Sequence, residues 1–284
     1  MKMSDILNRL GDIAEKQGIN TYCISVSDPN GLETLDRIPA NPCQNCYSVA
    51  KVFCVTAIGM LFDEKKLTPD TAVADIFREE LMQYGIPAQK WENVTVDNVL
   101  RHEIGFSKGF LDIDTEDITA YPTDDFLFIV LDRELTHAPG SVRIYSDAAY
   151  YLLSRVVTKL SGERLDEFLM ARLFRKTGCR EMAWSVCPRN YTVGATGLYI
   201  RTEDVAKLGR IYLDGGMWKG ERIISEEWIR LVLERGYELG KNRNGYSKWG
   251  MRGQGLYINY NDDVSVAWHS FDPSGKSKAF FEIF

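Results

Sequence analysis

The spacing of apolar residues changes along the chain from a helical to a β-strand period and back again. Near the N-terminus, apolar residues at helical spacing predict a helix from about Ser4 to Lys16. The alternating stretches Thr21 to Ser27 and Leu32 to Ile38 flank the turn sequence Asp28-Pro29-Asn30-Gly31. This combination predicts a β-hairpin directly after the first helix.

The middle of the chain is predominantly helical in pattern, with long loops between the helices. The run from Val49 to Phe62 is apolar throughout except for Lys51, which predicts a helix buried on most sides. A short helix is predicted from Val96 to His102, with Thr95 as its N-cap. The amphipathic pattern from Asp147 to Leu160 predicts a longer helix, and Gly162 stands where a C-terminal cap is expected.

The last part of the chain returns to a β pattern. Thr202 is predicted to cap a further helix, and the alternating stretches Leu256 to Tyr260 and Val264 to His269 predict a second hairpin. Strands near both chain ends with helices between them indicate an α+β fold rather than a βαβ series. We therefore expect a single domain over 1–284, with an antiparallel sheet from both chain ends flanked by helices (about 1–63 and 196–284) and a mainly helical inserted lobe (about 64–195).

Size and charge exclude several classes of protein. The chain has 284 residues, of which 45% are hydrophobic, and a net charge of -6, so it can bury a full core and carries no basic face for nucleic acid. No stretch approaches the about 18 apolar residues that a membrane span needs. The opening sequence MKMSDILNRLGDIAEKQG lacks the apolar region of a signal peptide, so we expect a cytoplasmic protein. The sequence does not indicate an oligomeric state.

Cysteines and acidic residues raise the question of a metal site. Cys43 and Cys46 have the spacing of a redox pair or of half a zinc site, but neither a second such pair nor a histidine pair is present. They follow a turn rather than a strand, so we interpret them as structural thiols. The acidic stretch from Asp112 to Asp125 lacks the glycine of a calcium-binding loop and is interpreted as solvated surface. No metal and no other cofactor is expected.

The first candidate for chemistry is Ser48 with Lys51. Residues three apart on a helix lie on one face, so the two side chains can meet. Burial favours the neutral amine, which could accept the serine proton and activate the hydroxyl as a nucleophile. A Ser-x-x-Lys sequence is common by chance, and alone it is weak evidence.

Two further segments carry residues of the right type. Tyr145 stands just before the helix that begins near Asp147, and a phenol near an ammonium loses its proton more easily, which suits a general base. The alternative is that Ser146 or Asp147 simply caps the helix. In Lys248-Trp249-Gly250, the glycine would let a substrate approach an edge strand, and the lysine could hold an anionic group. A glycine-rich hairpin explains the same residues.

Taken in order, Ser48-x-x-Lys51, Tyr145-x-Asp147 and Lys248-x-Gly250 resemble the signature of the penicillin-recognising serine hydrolases. The chain looks most like the branch of class C β-lactamases, esterases and 6-aminohexanoate-dimer hydrolases. Other segments share this resemblance over roughly residues 20 to 270. They are LRHEIGF from Leu100, APG with YSDAAYYLLSRVV around Tyr145, the stretch from Gly197 to Gly216, and GMRGQ from Gly250.

The resemblance implies a β-lactamase/transpeptidase-like fold and a role for each motif residue. Ser48 would be the acylated nucleophile, and Lys51 and Tyr145 would share the proton transfers. The backbone N–H groups of Ser48 and Met251 would form an oxyanion hole. Lys248, with Gly250 and Asp147, would line the substrate site. The implied activity is that of a serine hydrolase on a small ester or amide.

Asp147 is the main departure from the pattern, because the family has asparagine there. An ionised carboxylate cannot donate a hydrogen bond to a substrate amide, and it favours the charged form of a nearby lysine. This leaves open the alternative of an inactive binding or sensing module on the same fold. A true β-lactamase or D-alanyl peptidase is a further alternative, which the expected cytoplasmic location disfavours.

A second serine motif offers a different mechanism. Gly105-Phe106-Ser107-Lys108-Gly109 matches G-x-S-x-G, which in α/β-hydrolases lies between a strand and a helix. Of the histidines, only His269 comes late enough in the chain to complete that catalytic order. The helical pattern before the motif and the acidic stretch after it argue against this assignment.

Overall fold

Strands gather toward the two ends of the chain and most of the helices lie between them. In the computed structural model, which describes residues 2–283, the strands are β1 (Asn20–Asp28), β2 (Gly31–Asp36), β3 (Gln44–Asn45), β4 (Met182–Trp184), β5 (Leu198–Ile200), β6 (Met217–Trp218), β7 (Glu221–Arg222), β8 (Gly240–Lys241), β9 (Gly245–Gly250), β10 (Gln254–Asn259) and β11 (Val264–Phe271). The α-helices are α1 (Met3–Gln17), α2 (Ala50–Asp63), α3 (Val73–Ile76), α4 (Arg78–Tyr84), α5 (Val96–Leu100), α6 (Phe126–Asp132), α7 (Asp147–Ser161), α8 (Leu165–Leu169), α9 (Arg175–Thr177), α10 (Thr202–Leu213) and α11 (Glu226–Arg235).

The chain forms two compact units that alternate along the sequence. Unit 1 comprises 1–53, 171–183 and 197–284, and unit 2 comprises 54–170 and 184–196. The division into an α/β lobe and a helical lobe within a single domain, with boundaries near residues 63 and 196, remains a prediction. Within the part of the chain that the structure describes, no helix is both long and apolar enough to cross a membrane.

Unit 1 is built on a six-stranded antiparallel sheet of order β2-β1-β11-β10-β9-β8. The strand from the N-terminal hairpin, β1, pairs directly with β11 from the end of the chain, Val26 opposite Val266. The α+β fold with a sheet made from both chain ends is thereby confirmed. This pairing of distant segments holds the ends together and leaves β9 near the far edge of the sheet.

Helices cover both faces of this sheet. On one face, Ile6 and Leu10 of α1 pack against Val26 and Trp268 in a fully buried apolar cluster. On the other face, Gly209 of α10 lies so close to Ser265 that a Cβ there would meet its hydroxyl oxygen. Side chains alternate across a strand, and both β1 and β11 are buried on both faces, with larger apolar residues such as Val26 and Trp268 toward α1 and serines such as Ser25 and Ser265 toward α10.

Unit 2 is organised around α7, which is buried along most of its length and packs on α5, α6 and α8. Its C-terminus is capped as predicted by Gly162, whose φ of 78° lies in the left-handed region. The predicted N-cap of α5 is also confirmed, since the Thr95 side chain accepts from the Asn98 N–H at 3.3 Å.

Two predicted helix boundaries were wrong. Helix α5 ends at Leu100 rather than at His102, because His102 has a φ of 60° and turns the chain out of the helix. Thr202 is the first residue of α10 and Arg201 is its N-cap. The Thr202 hydroxyl instead bonds to the Ser25 hydroxyl, 3.0 Å away on β1, so a contact with the sheet replaces a contact within the helix.

Gly255 tests the packing at the centre of the sheet. It stands opposite the buried Trp268 in the β10–β11 pair, and a Cβ at position 255 would lie 2.1 Å from the indole ring. We expect Gly255→Ala to lower the free energy of unfolding by about 3 kcal/mol, because the ring has no room to move. Gly240→Ala is the control: its Cβ would approach only the Ser247 carbonyl, at 3.7 Å, and should change stability by less than about 1 kcal/mol. Urea denaturation measures both, and equal effects would contradict the packing account.

Candidate active site

Ser48 lies in a short 3-10 turn, Tyr47–Val49, that leads directly into α2. Two hydrogen bonds hold the start of this turn in unit 1. The Tyr47 N–H donates to the Asn45 side chain at 2.8 Å, and the Cys46 N–H donates to the Leu198 carbonyl at 2.9 Å. Tyr47 has a φ of 47°, a conformation that costs free energy for a residue with a side chain. The turn is therefore held in place by the β3–β5 pair rather than by local preference.

The Lys51 side chain meets Ser48 one turn further on. The Lys51 Nζ donates to the Ser48 Oγ at 3.1 Å, Lys51 is 0% exposed, and Ser48 is partly exposed. The neighbours of Lys51 along the chain, Val49, Ala50 and Val52, are also buried, so this part of the helix is removed from solvent. The serine hydroxyl is thus partly exposed and has a buried nitrogen beside it, an arrangement that would suit the nucleophile and base predicted from the sequence.

Strand β9 runs past this turn, and Gly250 packs closely against it. A Cβ on Gly250 would lie 2.6 Å from the Cys46 carbonyl oxygen and 3.4 Å from the Tyr47 Cβ. Only glycine allows the strand to come this close. The segment Met251–Gly253 that follows therefore begins beside the Ser48 turn, within unit 1.

Lys248, on the same strand, has a partner that the sequence did not reveal. Its ammonium donates to the carboxylate of Glu238, and the two side chains are only 10% and 1% exposed. Glu238 lies in the segment between α11 and β8 and has a φ of 60°. The Glu238 carboxylate therefore already pairs with the ammonium that was predicted to bind an anionic substrate group.

In unit 2, Tyr145 precedes α7 and packs on an imidazole. Its ring centroid lies 4.5 Å from that of His102, and the Arg143 guanidinium lies 5.8 Å from the Tyr145 ring centroid. Tyr145 is 41% exposed while His102 is buried, so the phenol rests on a fixed support and its outer side faces solvent within this unit. Proton transfer by Tyr145 remains a prediction, since its expected partners, Ser48 and Lys51, belong to unit 1.

His102 and Phe110 hold the segment that carries Tyr145. The Ser146 N–H donates to the His102 Nδ1 at 3.2 Å, and the Ser146 hydroxyl donates to the Phe110 carbonyl at 3.2 Å. Ser146 occupies the N-cap position of α7. Its side chain bonds to the Phe110 segment, however, and makes no capping hydrogen bond to the helix. Sequence reasoning assigned no role to His102, although the LRHEIGF segment that contains it was part of the resemblance.

Asp147 belongs to a group of three carboxylates in unit 2. Ligand oxygens of Asp112, Asp114 and Asp147 all lie within 4.8 Å of one another, so this group could hold a cation. The Thr196 hydroxyl donates to Asp114 at 2.6 Å, which already satisfies one of these oxygens. The grouping brings part of the acidic loop, interpreted from the sequence as solvated surface, against the first turn of α7. It alone does not establish a metal site.

The cysteine pair at positions 43 and 46 lies just before the serine turn. All six cysteines are free thiols, and Cys46 is fully buried. Burial, and then the negative charge of Glu181, raises the pKa of the Cys43 thiol. A raised pKa leaves less of the reactive thiolate, so this thiol is a poor nucleophile beside Ser48.

The alternative serine, Ser107, lacks the setting of a nucleophile elbow. Residues 101–117 form turns and bends, with neither the preceding strand nor the following helix that the motif requires. In unit 1, His269 is fully buried between the Gln254 side chain and the Ile200 carbonyl, each 2.9 Å from a ring nitrogen. Burial lowers the pKa of His269 to about 4, against the raising effect of the Ile200 carbonyl. The imidazole is thus occupied within the core of the unit.

Ser48 in a 3-10 turn, a buried Lys51 three residues later and an antiparallel sheet made from both chain ends are the features expected of the Ser-x-x-Lys class of proteins. Comparison with known families assigns the chain more closely. Residues 39–279 match the Beta-lactamase family, and the chain belongs to that family. The resemblance drawn from the motifs is confirmed.

Relatives within the family carry several different names. The chain is 25% identical to the 6-aminohexanoate-dimer hydrolase of Paenarthrobacter ureafaciens over 215 residues, which is 70% of this chain and 53% of that protein. It spans about half the length of the curated relatives it matches. Among solved structures, a Bacillus anthracis protein provisionally described as a 6-aminohexanoate-dimer hydrolase has a TM-score of 0.81 at 17% identity, covering 96% of this chain and 79% of that one.

Another solved structure is EstCE1, described as a hydrolase with promiscuous acyltransferase activity. Its TM-score is 0.72 at 14% identity, and the match covers 99% of this chain and 97% of that one. At such identities the structural likeness shows the shared fold alone. The chain's membership of the family therefore rests on the match over residues 39–279.

His102 provides a test of how the Tyr145 segment is held. His102→Ala removes the acceptor of the buried Ser146 N–H and places alanine at a left-handed position, so we expect a loss of about 3 kcal/mol of stability. His102→Asn keeps an acceptor near the same place and tolerates that backbone, and should lose about 1 kcal/mol. Urea denaturation compares the two. Equal losses would show that the ring packing, and not the hydrogen bond, is what matters.

Proposed function

We propose that this chain is an active serine hydrolase that cleaves small esters or amides through an acyl-enzyme on Ser48. The observation that carries the proposal is the 3.1 Å contact between the Lys51 Nζ and the Ser48 Oγ, with Lys51 completely buried and Ser48 partly exposed. A buried lysine is costly to keep, and a chain that needed only a helix could place an apolar residue there. A catalytic role for Lys51, one turn after Ser48, would explain why the chain bears the free-energy cost of burying its amine.

Acylation begins with proton transfer between these two groups. Burial disfavours a charged amine, and a neutral Lys51 can accept the Ser48 proton across the existing contact. The Oγ then forms a bond to the substrate carbonyl carbon, whose oxygen takes up the negative charge. Collapse of this intermediate breaks the bond to the leaving alcohol or amine, which receives a proton, and the acyl group remains on Ser48 as an ester.

The oxyanion is assigned to two backbone N–H groups. Ser48 lies at the start of a helix, where N–H groups point outward from the first turn. Met251 follows Gly250, which packs closely against the Ser48 turn. Two donors that converge on one carbonyl oxygen stabilise the charge that develops during the reaction. The glycine at position 250 supports this assignment, because any larger residue would push the strand away.

Tyr145 completes the scheme by resemblance alone. In the family pattern the tyrosine of the second motif shares the proton transfers, and here it stands on the His102 ring at the start of α7. Water then attacks the acyl-enzyme ester, Ser48 recovers its proton, and the acyl group leaves as a carboxylic acid. Asp147, in the place of the family's asparagine, is assigned to the substrate side of this scheme together with Lys248, Gly250 and Met251.

Esters and small amides are the substrates we favour over β-lactams. The names of the relatives point to acyl chemistry on more than one substrate, a 6-aminohexanoate dimer for one and acyl transfer for another. A charge-paired Lys248 and an aspartate at position 147 both weaken the case for an anionic β-lactam.

The nucleophile is tested by covalent labelling. A fluorophosphonate probe should add one adduct to the wild-type chain, detected by intact-mass spectrometry, because the activated Oγ displaces fluoride from phosphorus. Ser48→Ala should abolish the adduct, and Ser107→Ala should retain it. p-Nitrophenyl acetate and a penicillin, tried in the same way, separate ester from β-lactam chemistry. A wild-type chain that is not labelled would favour the inactive binding or sensing module. An adduct that survives Ser48→Ala would favour Ser107 as the nucleophile.

The base is tested by a matched pair of lysine variants. Lys51→Met keeps the length of the side chain and removes the nitrogen, so the labelling rate should fall by about 10²–10⁴-fold, the usual contribution of a general base. Lys16→Met changes the same charge at an exposed position of α1 and should leave the rate unchanged. Circular dichroism shows whether both variants are folded. A folded Lys51→Met chain that reacts at the wild-type rate would rule out Lys51 as the base.

A further inference from the structure

Glu238 and Lys248 form an ion pair that is almost fully removed from solvent within unit 1. The Glu238 side chain is 1% exposed and lies between Tyr237 and Leu239, both of which are 0% exposed. Glu238 also holds a left-handed backbone, with a φ of 60°. A buried carboxylate in a strained segment is an expensive feature, and no local pattern in the sequence calls for it.

The pair lies on the side of β9 that faces the serine turn. Side chains alternate across a strand, so Lys248 and Gly250 point to the same face. That face at Gly250 lies against Cys46 and Tyr47, immediately before Ser48. Two residues along a strand are about 7 Å apart, and a lysine has a long flexible stem. The Lys248 ammonium therefore lies within the neighbourhood of any acyl group bound at Ser48.

A charged group near the bound acyl group can influence which substrates bind. A lone lysine here would attract a substrate carboxylate, since charges interact strongly where water is excluded. The Glu238 carboxylate, already paired with Lys248, offsets the attraction of the ammonium for a substrate carboxylate and repels that carboxylate directly. We infer that Glu238 is a specificity-determining residue: by neutralising Lys248, it restricts the site to uncharged acyl groups and excludes acyl groups that carry a carboxylate. This inference rests on the proposed function, because it concerns the substrate of Ser48.

Three esters of the same acyl length test the inference. They are p-nitrophenyl hexanoate, mono-p-nitrophenyl adipate and p-nitrophenyl 6-(trimethylammonio)hexanoate, which carry a neutral, an anionic and a cationic acyl group. The wild-type chain should prefer hexanoate to adipate by about tenfold or more in kcat/KM. Glu238→Gln should raise the adipate-to-hexanoate ratio by about tenfold, and added salt should reduce this gain.

Two variants keep the test decisive. Lys248→Met leaves the Glu238 carboxylate unpaired, so it should raise the ratio for the cationic ester instead, and it replaces Glu238→Gln if that chain fails to fold. Glu234→Gln makes the same change of charge at an exposed position of α11 and should leave every ratio unchanged. The inference is overturned if the wild-type chain prefers adipate, or if the folded variants keep the wild-type ratios.

Binding separates this inference from the proposed function. In a Ser48→Ala background, calorimetry with adipate requires no catalysis, and adding Glu238→Gln should increase the affinity for adipate by about tenfold. If no ester is hydrolysed and Ser48 is not labelled, the proposed function fails while this comparison still decides the role of Glu238. If hydrolysis proceeds but neither the ratios nor the affinity change, Glu238 serves only the packing of its segment.

Discussion

The contact between the buried Lys51 amine and the Ser48 hydroxyl is the constraint on which the rest of the structure depends. An amine is kept away from water only if the surrounding helix is packed on all sides, and the apolar run through α2 provides that packing. The serine, in contrast, must remain accessible. A short 3-10 turn before the helix meets both demands, because it leaves Ser48 partly exposed while Lys51, one turn later, is in the core.

The sheet of unit 1 serves this contact by fixing what lies beside it. Strand β9 can approach the serine turn only because position 250 has no side chain, and β9 is held in turn by β10 and β11. At the centre of the same sheet, Gly255 makes room for the Trp268 ring. Both glycines therefore act through close approach, one at the site and one in the core, and neither requires an unusual backbone angle.

Two buried lysines are treated differently in this unit. Lys51 lies against the Ser48 hydroxyl, whereas Lys248 lies against the Glu238 carboxylate. The first arrangement suits chemistry and the second suits control of charge. The Lys248 pair is the basis of the specificity proposed above, since it places a carboxylate beside the lysine.

Local order was readable from the sequence because it depends on neighbours along the chain. The helical and alternating periods predicted α1, α7 and the terminal hairpins, and the order of three short motifs indicated the family and drew attention to Ser48 and Lys51. Helix ends were less accurate where a distant segment intervened, as at Thr202, whose hydroxyl bonds to Ser25 on β1. A sequence pattern carries no information on which remote side chain will meet a given group. Only the tertiary structure could therefore bring Glu238 to Lys248, His102 to Ser146 and three aspartates to one place, since each contact joins segments that the fold alone makes adjacent.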